Sequence, residues 1–132
     1  MTTNTVDLLD SLRAHLTEFE LPALWSVNLT ASSGGPNVSG QLPCHYPPEI
    51  ASGLLAWADT LTEVTAEAWR VPSGDTVHLS VIGRLPGGAS IRVYGCVVVT
   101  VRGMGADLAP GASTSVPLVV LRERATVEEV IF

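Results

Sequence analysis

The sequence predicts a single α+β domain, an antiparallel sheet of about five strands with two helices packed on one face. Apolar side chains recur at helical spacing in residues 4–20 and again after residue 47. Elsewhere apolar and polar side chains alternate, as half-buried strands require. Short turn clusters rich in Gly and Pro join consecutive strands, which favours antiparallel pairing. The predicted order is therefore α-β-β-α-β-β-β, followed by a C-terminal tail.

The first helix is predicted over residues 4–20. Its apolar stripe follows steps of three and four residues and comprises Val6, Leu9, Leu12, Leu16 and Phe19. Asn4 is a suitable N-cap, and Pro22 ends the helix. We therefore expect this stripe to pack on the core.

A two-stranded hairpin and a second helix are predicted next. Residues 25–30 and 37–42 alternate apolar and polar side chains, and the Gly-rich segment 32–36 joins them as a turn. A helix then starts at Pro47 or Pro48, because proline is tolerated in a first helical turn, and ends near residues 60–62. Its stripe comprises Ile50, Leu54, Leu55, Trp57, Ala58 and Leu61.

A three-stranded meander is predicted over residues 63–71, 76–85 and 90–102. Its third strand alternates most clearly, with Val93 and Val97 on one face and Tyr94 and Cys96 on the other. The orientation of Trp69 stays open: it faces outward if the alanines beside it face the core, or it enters the core after a bulge. The pattern favours the second arrangement.

The domain organisation predicted from composition has three parts. Residues 1–102 form the domain, residues 103–115 form a flexible linker rich in Gly, Ala, Ser and Pro, and residues 116–132 form a tail. The tail combines an apolar run, readable as a strand, with a charged, helical end. A bare apolar strand promotes aggregation, so we expect the tail to dock on the sheet or on a partner subunit.

Composition argues against several functions. The chain has 132 residues, 13 acidic side chains, seven arginines, no lysine and a formal net charge of -6. An acidic chain of this kind lacks a phosphate-neutralising surface, which argues against nucleic acid as the partner. The N-terminus has no signal-peptide pattern, and no apolar run is long enough for a membrane span. We therefore expect a cytoplasmic protein with reduced thiols at Cys44 and Cys96 and no membrane partner.

Known catalytic and metal-binding patterns are not found in the sequence. Cys44 and His45 are adjacent, and His78 and Cys96 lie on neighbouring predicted strands, but no zinc-ligand spacing is present. The sequence also lacks a nucleophile elbow, and its Gly pairs connect strand to strand, away from any helix N-terminus that could bind phosphate. The sequence thus predicts no catalytic site, no metal and no cofactor.

The residue types that are enriched at protein interfaces give the most informative remaining evidence on function. Trp, Tyr and Arg are enriched at the centres of protein interfaces, and a detached apolar tail would extend such a surface. The candidate interface residues are Trp69, Arg70, Arg92, Tyr94, Leu118, Val120 and Phe132. They predict a small non-enzymatic protein-interaction module that self-associates as a homo-oligomer, or that binds a basic protein as an assembly component, adaptor or acidic inhibitor.

Two other functions remain open. A small-molecule-binding or enzymatic domain would need a pocket between the sheet and the helices, for which Trp25, Trp57 and Tyr46 are the predicted lining. Specific DNA binding would need several arginines on one face. The candidate arginines are Arg70, Arg84, Arg92 and Arg102.

Overall fold

The predicted α+β class is confirmed by a computed structural model, which describes residues 4–31, 36–43, 47–99 and 105–126. Within these ranges the chain forms three helices and six strands. The helices are α1 (Thr5–Glu18), α2 (Pro47–Ala58) and α3 (Leu118–Thr126). The strands are β1 (Ser26–Leu29), β2 (Val38–Gln41), β3 (Thr62–Arg70), β4 (Thr76–Arg84), β5 (Ser90–Val98) and β6 (Ser113–Ser115).

The sheet is mixed and has the strand order β1-β2-β5-β4-β3-β6. The predicted hairpin β1–β2 and meander β3–β4–β5 are both antiparallel, as expected. The prediction of five purely antiparallel strands is wrong, because β2 pairs in parallel with β5 and a sixth strand pairs with β3. The hairpin lies beside the last strand of the meander, so its direction is set by a pairing across more than fifty residues, with Val38 opposite Ile91.

Helix α1 starts as predicted, but of its predicted apolar stripe only Leu12 is buried. The Asn4 side chain accepts a hydrogen bond from the Asp7 backbone N–H at 2.8 Å, which caps the helix. Its buried side chains are Leu8, Leu12 and His15, whereas Val6, Leu9 and Leu16 of the predicted stripe are exposed. The sequence carries two apolar stripes at helical spacing, and the buried one includes a histidine that packs against α2.

Helix α2 forms the centre of the core on one side of the sheet. Ile50, Leu54 and Trp57 are fully buried, and the indole N–H of Trp57 donates to the Pro22 carbonyl at 3.4 Å. Gly95 on β5 provides the space for Ile50, since a Cβ at residue 95 would overlap that side chain. The facing strand residues include Ala66, Ala68, Val77, Leu79, Val81, Ile91, Val93 and Val97, all buried.

The C-terminal part of the described chain packs on the rest of the domain. Within the segment predicted to be a linker, residues 113–115 form β6 and pair with β3. The tail residues predicted to form a strand instead begin α3, which follows Pro117 at Leu118. Leu121 is buried in the core, and α3 packs on α2 of the same chain. Phe132 lies outside the described residues.

No helix among the described residues has the length and apolar character that crossing a membrane requires.

Candidate interaction surface

The two faces of the sheet differ in what covers them. Helix α2 packs on one face of β4 and β5, and α1 and α3 contact α2 on that side. We call the opposite side the open face. Its side chains on β3, β4 and β5 are mostly exposed or half-buried, and they include Thr65, Glu67, Trp69, Thr76, His78, Ile82, Arg92, Tyr94, Cys96 and Val98.

A β-bulge in β3 decides which residues reach the open face. Thr62 pairs with Arg84 and Thr65 with Ile82, so one extra residue is inserted between them. Glu63 in this bulge has a φ of 54°, in the left-handed region. A shift of one residue exchanges the two faces of a strand, and the bulge thereby places Trp69 on the open face. The preference for a core Trp69 after a bulge is therefore wrong, because this bulge turns the indole outward.

Four side chains of the open face form a continuous stack, which we call the aromatic ladder. The Trp69 and His78 rings meet edge to face with centroids 5.1 Å apart. The His78 and Tyr94 rings are parallel within 5° at 5.5 Å. The Arg92 guanidinium carbon lies 4.5 Å from the centroid of the Tyr94 ring, a cation–π contact. The ladder therefore crosses three strands diagonally, from β3 to β5.

The ladder is held in place before any partner binds. Each aromatic contact of this kind contributes roughly 0.5–1.5 kcal/mol beyond area burial. The Tyr94 hydroxyl also donates to the Gln41 side-chain oxygen at 3.4 Å, which links the ladder to β2. Because these rotamers are already ordered, binding would lose little side-chain entropy. Half-exposed, pre-ordered aromatic rings are what the centre of a binding surface needs.

The charge of the ladder resides on Arg92. Burial, with a smaller contribution from Arg92, lowers the pKa of His78 below its usual value of 6.5, so the imidazole is neutral at pH 7. Glu67 is exposed on β3, beside the ladder. Among the described residues, no ion pair within 4 Å is found for Arg92 or Glu67. The open face thus presents one positive and one negative group close to the stacked rings.

Cys96 lies directly beside His78, its register partner on β4. A thiol beside an imidazole can form a nucleophile and base pair if the thiolate is stabilised. Here burial raises the pKa of the Cys96 thiol, against a smaller opposite effect of Arg92. Both side chains are therefore held in their neutral forms, which opposes thiolate chemistry at this position.

The structure brings together three of the seven candidate interface residues, Trp69, Arg92 and Tyr94. Arg70 belongs elsewhere: its guanidinium donates to the carbonyls of Gly74, Ala106 and Leu108 at 3.1, 3.1 and 2.7 Å. These bonds tie the β3–β4 turn to the chain after residue 105.

Two of the remaining candidates lie on α3. Leu118 and Val120 are half-buried, so neither presents a fully exposed apolar surface. His78, at the centre of the ladder, was not predicted as an interface residue. Its alternation with Val77 and Leu79 placed it on the polar face, but only the strand register sets it between Trp69 and Tyr94.

The pocket predicted between the sheet and the helices does not form from its predicted lining. Trp57 is completely buried in the core and Trp25 is 66% exposed, while Tyr46 lies outside the described residues. A cavity of about 250 Å³ lies instead beside β6 and α3. Its lining comprises Ala68, Gly105, Asp107, Leu108, Thr114, Ser115, Val116, Pro117, Val120 and Arg124.

Two of the three candidate arginines in the described part of the chain, Arg84 and Arg92, lie on the same side of the sheet. Arg92 lies on the open face, whereas the Arg70 side chain lies on the helix-covered side, in line with Ala66 and Ala68. Arg84 is in line with His78 and Ile82 on the open-face side, at the exposed end of β4 and 3.7 Å from Glu63, and Arg102 is outside the described residues.

No group of three or more His, Cys, Asp and Glu side chains suited to holding a metal ion occurs among the described residues. Comparison with protein-family models, with curated proteins and with solved structures finds no match to this chain.

Proposed function

We propose that this chain is a non-enzymatic protein-interaction module that self-associates through the open face. The aromatic ladder is the observation that carries the proposal. It places Trp69, Tyr94 and Arg92 in one pre-ordered stack on a sheet face that none of the three described helices covers, and these are the residue types that contribute most binding energy at protein interfaces. We propose further that the module works in the cytoplasm as an assembly component or adaptor.

A protein partner fits this surface better than a small molecule does. Small ligands bind in concave sites that enclose most of their surface, whereas the ladder lies along a sheet three strands wide. A second sheet can pack on such a surface about 10 Å away. The neutral forms of Cys96 and His78 support a binding role over a nucleophilic one.

Nucleic acid fits the surface less well, although bases stack on aromatic rings. Affinity for nucleic acid comes largely from phosphate neutralisation. The chain has a net charge of -6, and Glu67 is exposed on the same face as Arg92, two strands away. The negative charge therefore opposes a polyanionic partner.

Sedimentation velocity of the full chain over a range of concentrations tests the proposal. We expect a concentration-dependent dimer that Trp69→Ala and Tyr94→Ala each weaken by tenfold or more, about 1.4 kcal/mol, because both remove anchors of the ladder. Trp25→Ala is the matched control, since Trp25 is an exposed indole outside the ladder. It should leave association unchanged.

Two results would overturn the proposal. One is a wild-type chain that stays monomeric at high micromolar concentrations. The other is dissociation caused by Trp25→Ala and not by Trp69→Ala, which would move the interface away from the open face.

Small-molecule binding is a second candidate, favoured by the cavity beside β6 and α3. Its volume of about 250 Å³ suits a ligand of modest size, and its lining combines Val116 and Val120 with Asp107 and Arg124. A compound that raises the melting temperature of the wild type but not of Val120→Trp, which fills the cavity, would support this function. Equal shifts in both proteins would place the compound elsewhere.

A further inference from the structure

We infer that the partner of the open face is a second copy of this chain, packed face to face about a twofold axis that runs along β4. In this arrangement Glu67 of each copy faces Arg92 of the other. The inference rests on the proposed function and deepens it, because it names the contacts that select the partner.

Opposite charges lie on the two sides of β4. Glu67 on β3 and Tyr94 on β5 are both register partners of Ser80, so these three residues form one row across the strands. The Arg92 guanidinium lies 4.5 Å from the centroid of the Tyr94 ring, which brings its charge toward the same row. Strands β3 and β5 are about 10 Å apart, two strand spacings, so this geometry separates the two charges within one copy.

A twofold rotation converts this separation into two ion pairs. In a symmetric dimer the same patch is used by both copies and must complement itself. Rotation by 180° about an axis along β4 exchanges the positions of β3 and β5. Glu67 of one copy then lies over the Arg92–Tyr94 pair of the other, and the reverse contact forms on the other side of the axis. Face-to-face sheets lie about 10 Å apart, a gap that a glutamate and an arginine side chain together can span.

The aromatic ladder is compatible with the same axis. His78 lies on β4, so the two imidazoles meet near the axis, and Trp69 comes to lie over Cys96 of the other copy. Neutral imidazoles can approach without charge repulsion, and burial together with Arg92 lowers the pKa of His78. The rings and the Glu67–Arg92 pairs therefore favour one arrangement, in which Arg84 at the end of β4 keeps its own ion pair with Glu63 at 3.7 Å.

Other partners satisfy only part of this surface. A basic protein would pair with Glu67 and leave Arg92 facing a like charge, and an acidic protein would do the reverse. Like charges placed opposite each other at an interface cost several kcal/mol. A second copy satisfies both groups at once, which is the reason for preferring it.

Charge exchange tests the pairing in the full chain. In sedimentation experiments we expect Glu67→Arg and Arg92→Glu each to weaken the dimer by about tenfold or more, because each sets like charges opposite each other. The double variant restores the pairs with reversed polarity and should return the dissociation constant to within about threefold of wild type. Asp59→Arg, an equal charge change at an exposed position after α2, should have little effect. Circular dichroism confirms that each variant is folded.

The outcomes separate this inference from the proposed function. A wild type that remains monomeric at high concentration contradicts both. A dimer that Trp69→Ala dissociates, but that charge exchange does not restore, contradicts the twofold pairing alone. Binding of a single-stranded oligonucleotide by a monomeric chain, lost in Trp69→Ala, would replace the second copy with nucleic acid and overturn the inference.

Discussion

The Nε2 atom of His15 lies 2.7 Å from the Thr60 hydroxyl oxygen, and this contact joins α1 to the end of α2. The Thr60 hydroxyl donates its single hydrogen to the Trp57 carbonyl at 2.8 Å, so it accepts a hydrogen bond from the Nε2–H of His15. The Nδ1 atom is then a buried acceptor without a hydrogen-bond partner among the described residues. The Trp57 ring stacks on the imidazole with centroids 5.9 Å apart. This histidine is therefore held in its neutral form inside the domain.

Stability should fall as the pH drops through 6.5. Burial lowers the pKa of His15 below 6.5, and the weaker effect of Glu18 opposes this. The unfolded chain then binds a proton before the folded chain does, so the free energy of unfolding is highest above 6.5 and decreases until the folded pKa is reached. Urea unfolding at several pH values measures how the free energy of unfolding changes with pH.

Variants separate the contributions of the two described histidines. The pKa of His78 is also lowered, so both histidines contribute in the same direction. His15→Gln should reduce the pH dependence of the free energy of unfolding below pH 6.5, and His78→Gln should leave the part due to His15. If His15→Gln leaves the pH dependence of the free energy of unfolding unchanged, His15 is not the group that causes it.

Arg70 should matter for stability far more than Arg84. Arg70→Ala removes three hydrogen bonds from a half-buried guanidinium, so we expect a loss of about 2–3 kcal/mol. Arg84 is half exposed and makes one bond to the Gly88 carbonyl and a long ion pair, so Arg84→Ala should cost about 0.5 kcal/mol or less. Denaturant midpoints compare the two variants, and equal losses would argue against the role assigned to Arg70.

Gly95→Ala should destabilise the domain by about 1–3 kcal/mol, because the added methyl group overlaps the fully buried Ile50 side chain. Ile50→Val removes a methyl group at the same contact and should cost about 0.5–1.5 kcal/mol alone. In the double variant the two changes should partly compensate. A double-mutant cycle measured by urea unfolding gives the coupling, and simple additivity would mean that the two sites do not touch.

The contribution of α3 can be measured by truncating one side chain on each of its faces. Leu121 is 1% exposed and belongs to the core, so Leu121→Ala should cost about 2–4 kcal/mol. Val119 is 55% exposed, and Val119→Ala should change stability by about 0.5 kcal/mol or less. The melting temperatures of both variants, compared with the wild type, measure this difference. A small effect at Leu121 would indicate that α3 is not part of the cooperative unit.

Replacing Glu63, in the bulge of β3, with glycine should stabilise the domain. Glu63 has a φ of 54°, a conformation that costs a residue with a side chain about 1 kcal/mol relative to glycine. The ion pair it would lose is long and exposed, so Glu63→Gly should stabilise the domain. Thr65→Gly, in the regular part of the same strand, should destabilise it. In denaturant unfolding we therefore expect a higher free energy of unfolding for Glu63→Gly and a lower one for Thr65→Gly than for the wild type.

Local elements could be predicted from the sequence because short-range signals specify them. The β1–β2 hairpin and the β3–β4–β5 meander follow from alternation and turn residues, and both form. The parallel pairing of Val38 with Ile91 could not be predicted, since it depends on contacts distant in the chain. The buried face of α1 was missed for a related reason: the partners of His15 are on α2.

The aromatic ladder could be predicted only in part. Trp69, Tyr94 and Arg92 carry the composition of an interface, but the bulge at Glu63 decides that the indole faces outward. A one-residue insertion leaves little trace in an alternating pattern. Arg70 is also of a residue type enriched at interfaces, but its guanidinium donates to backbone carbonyls inside the domain.

The parallel pairing of β2 with β5 also sets the order in which the strands can pair during folding. Strand β2 cannot complete its pairing until β5 has been made and positioned, because Asn37 is hydrogen-bonded to Ser90 across 53 residues. Closing so long a loop is costly and slow compared with forming the hairpins on either side. Pulsed hydrogen exchange during refolding should therefore protect β4 before β2. On the ribosome, the N-terminal hairpin would therefore have to wait for the middle of the chain before its apolar face is covered, and until then that face is exposed to other chains.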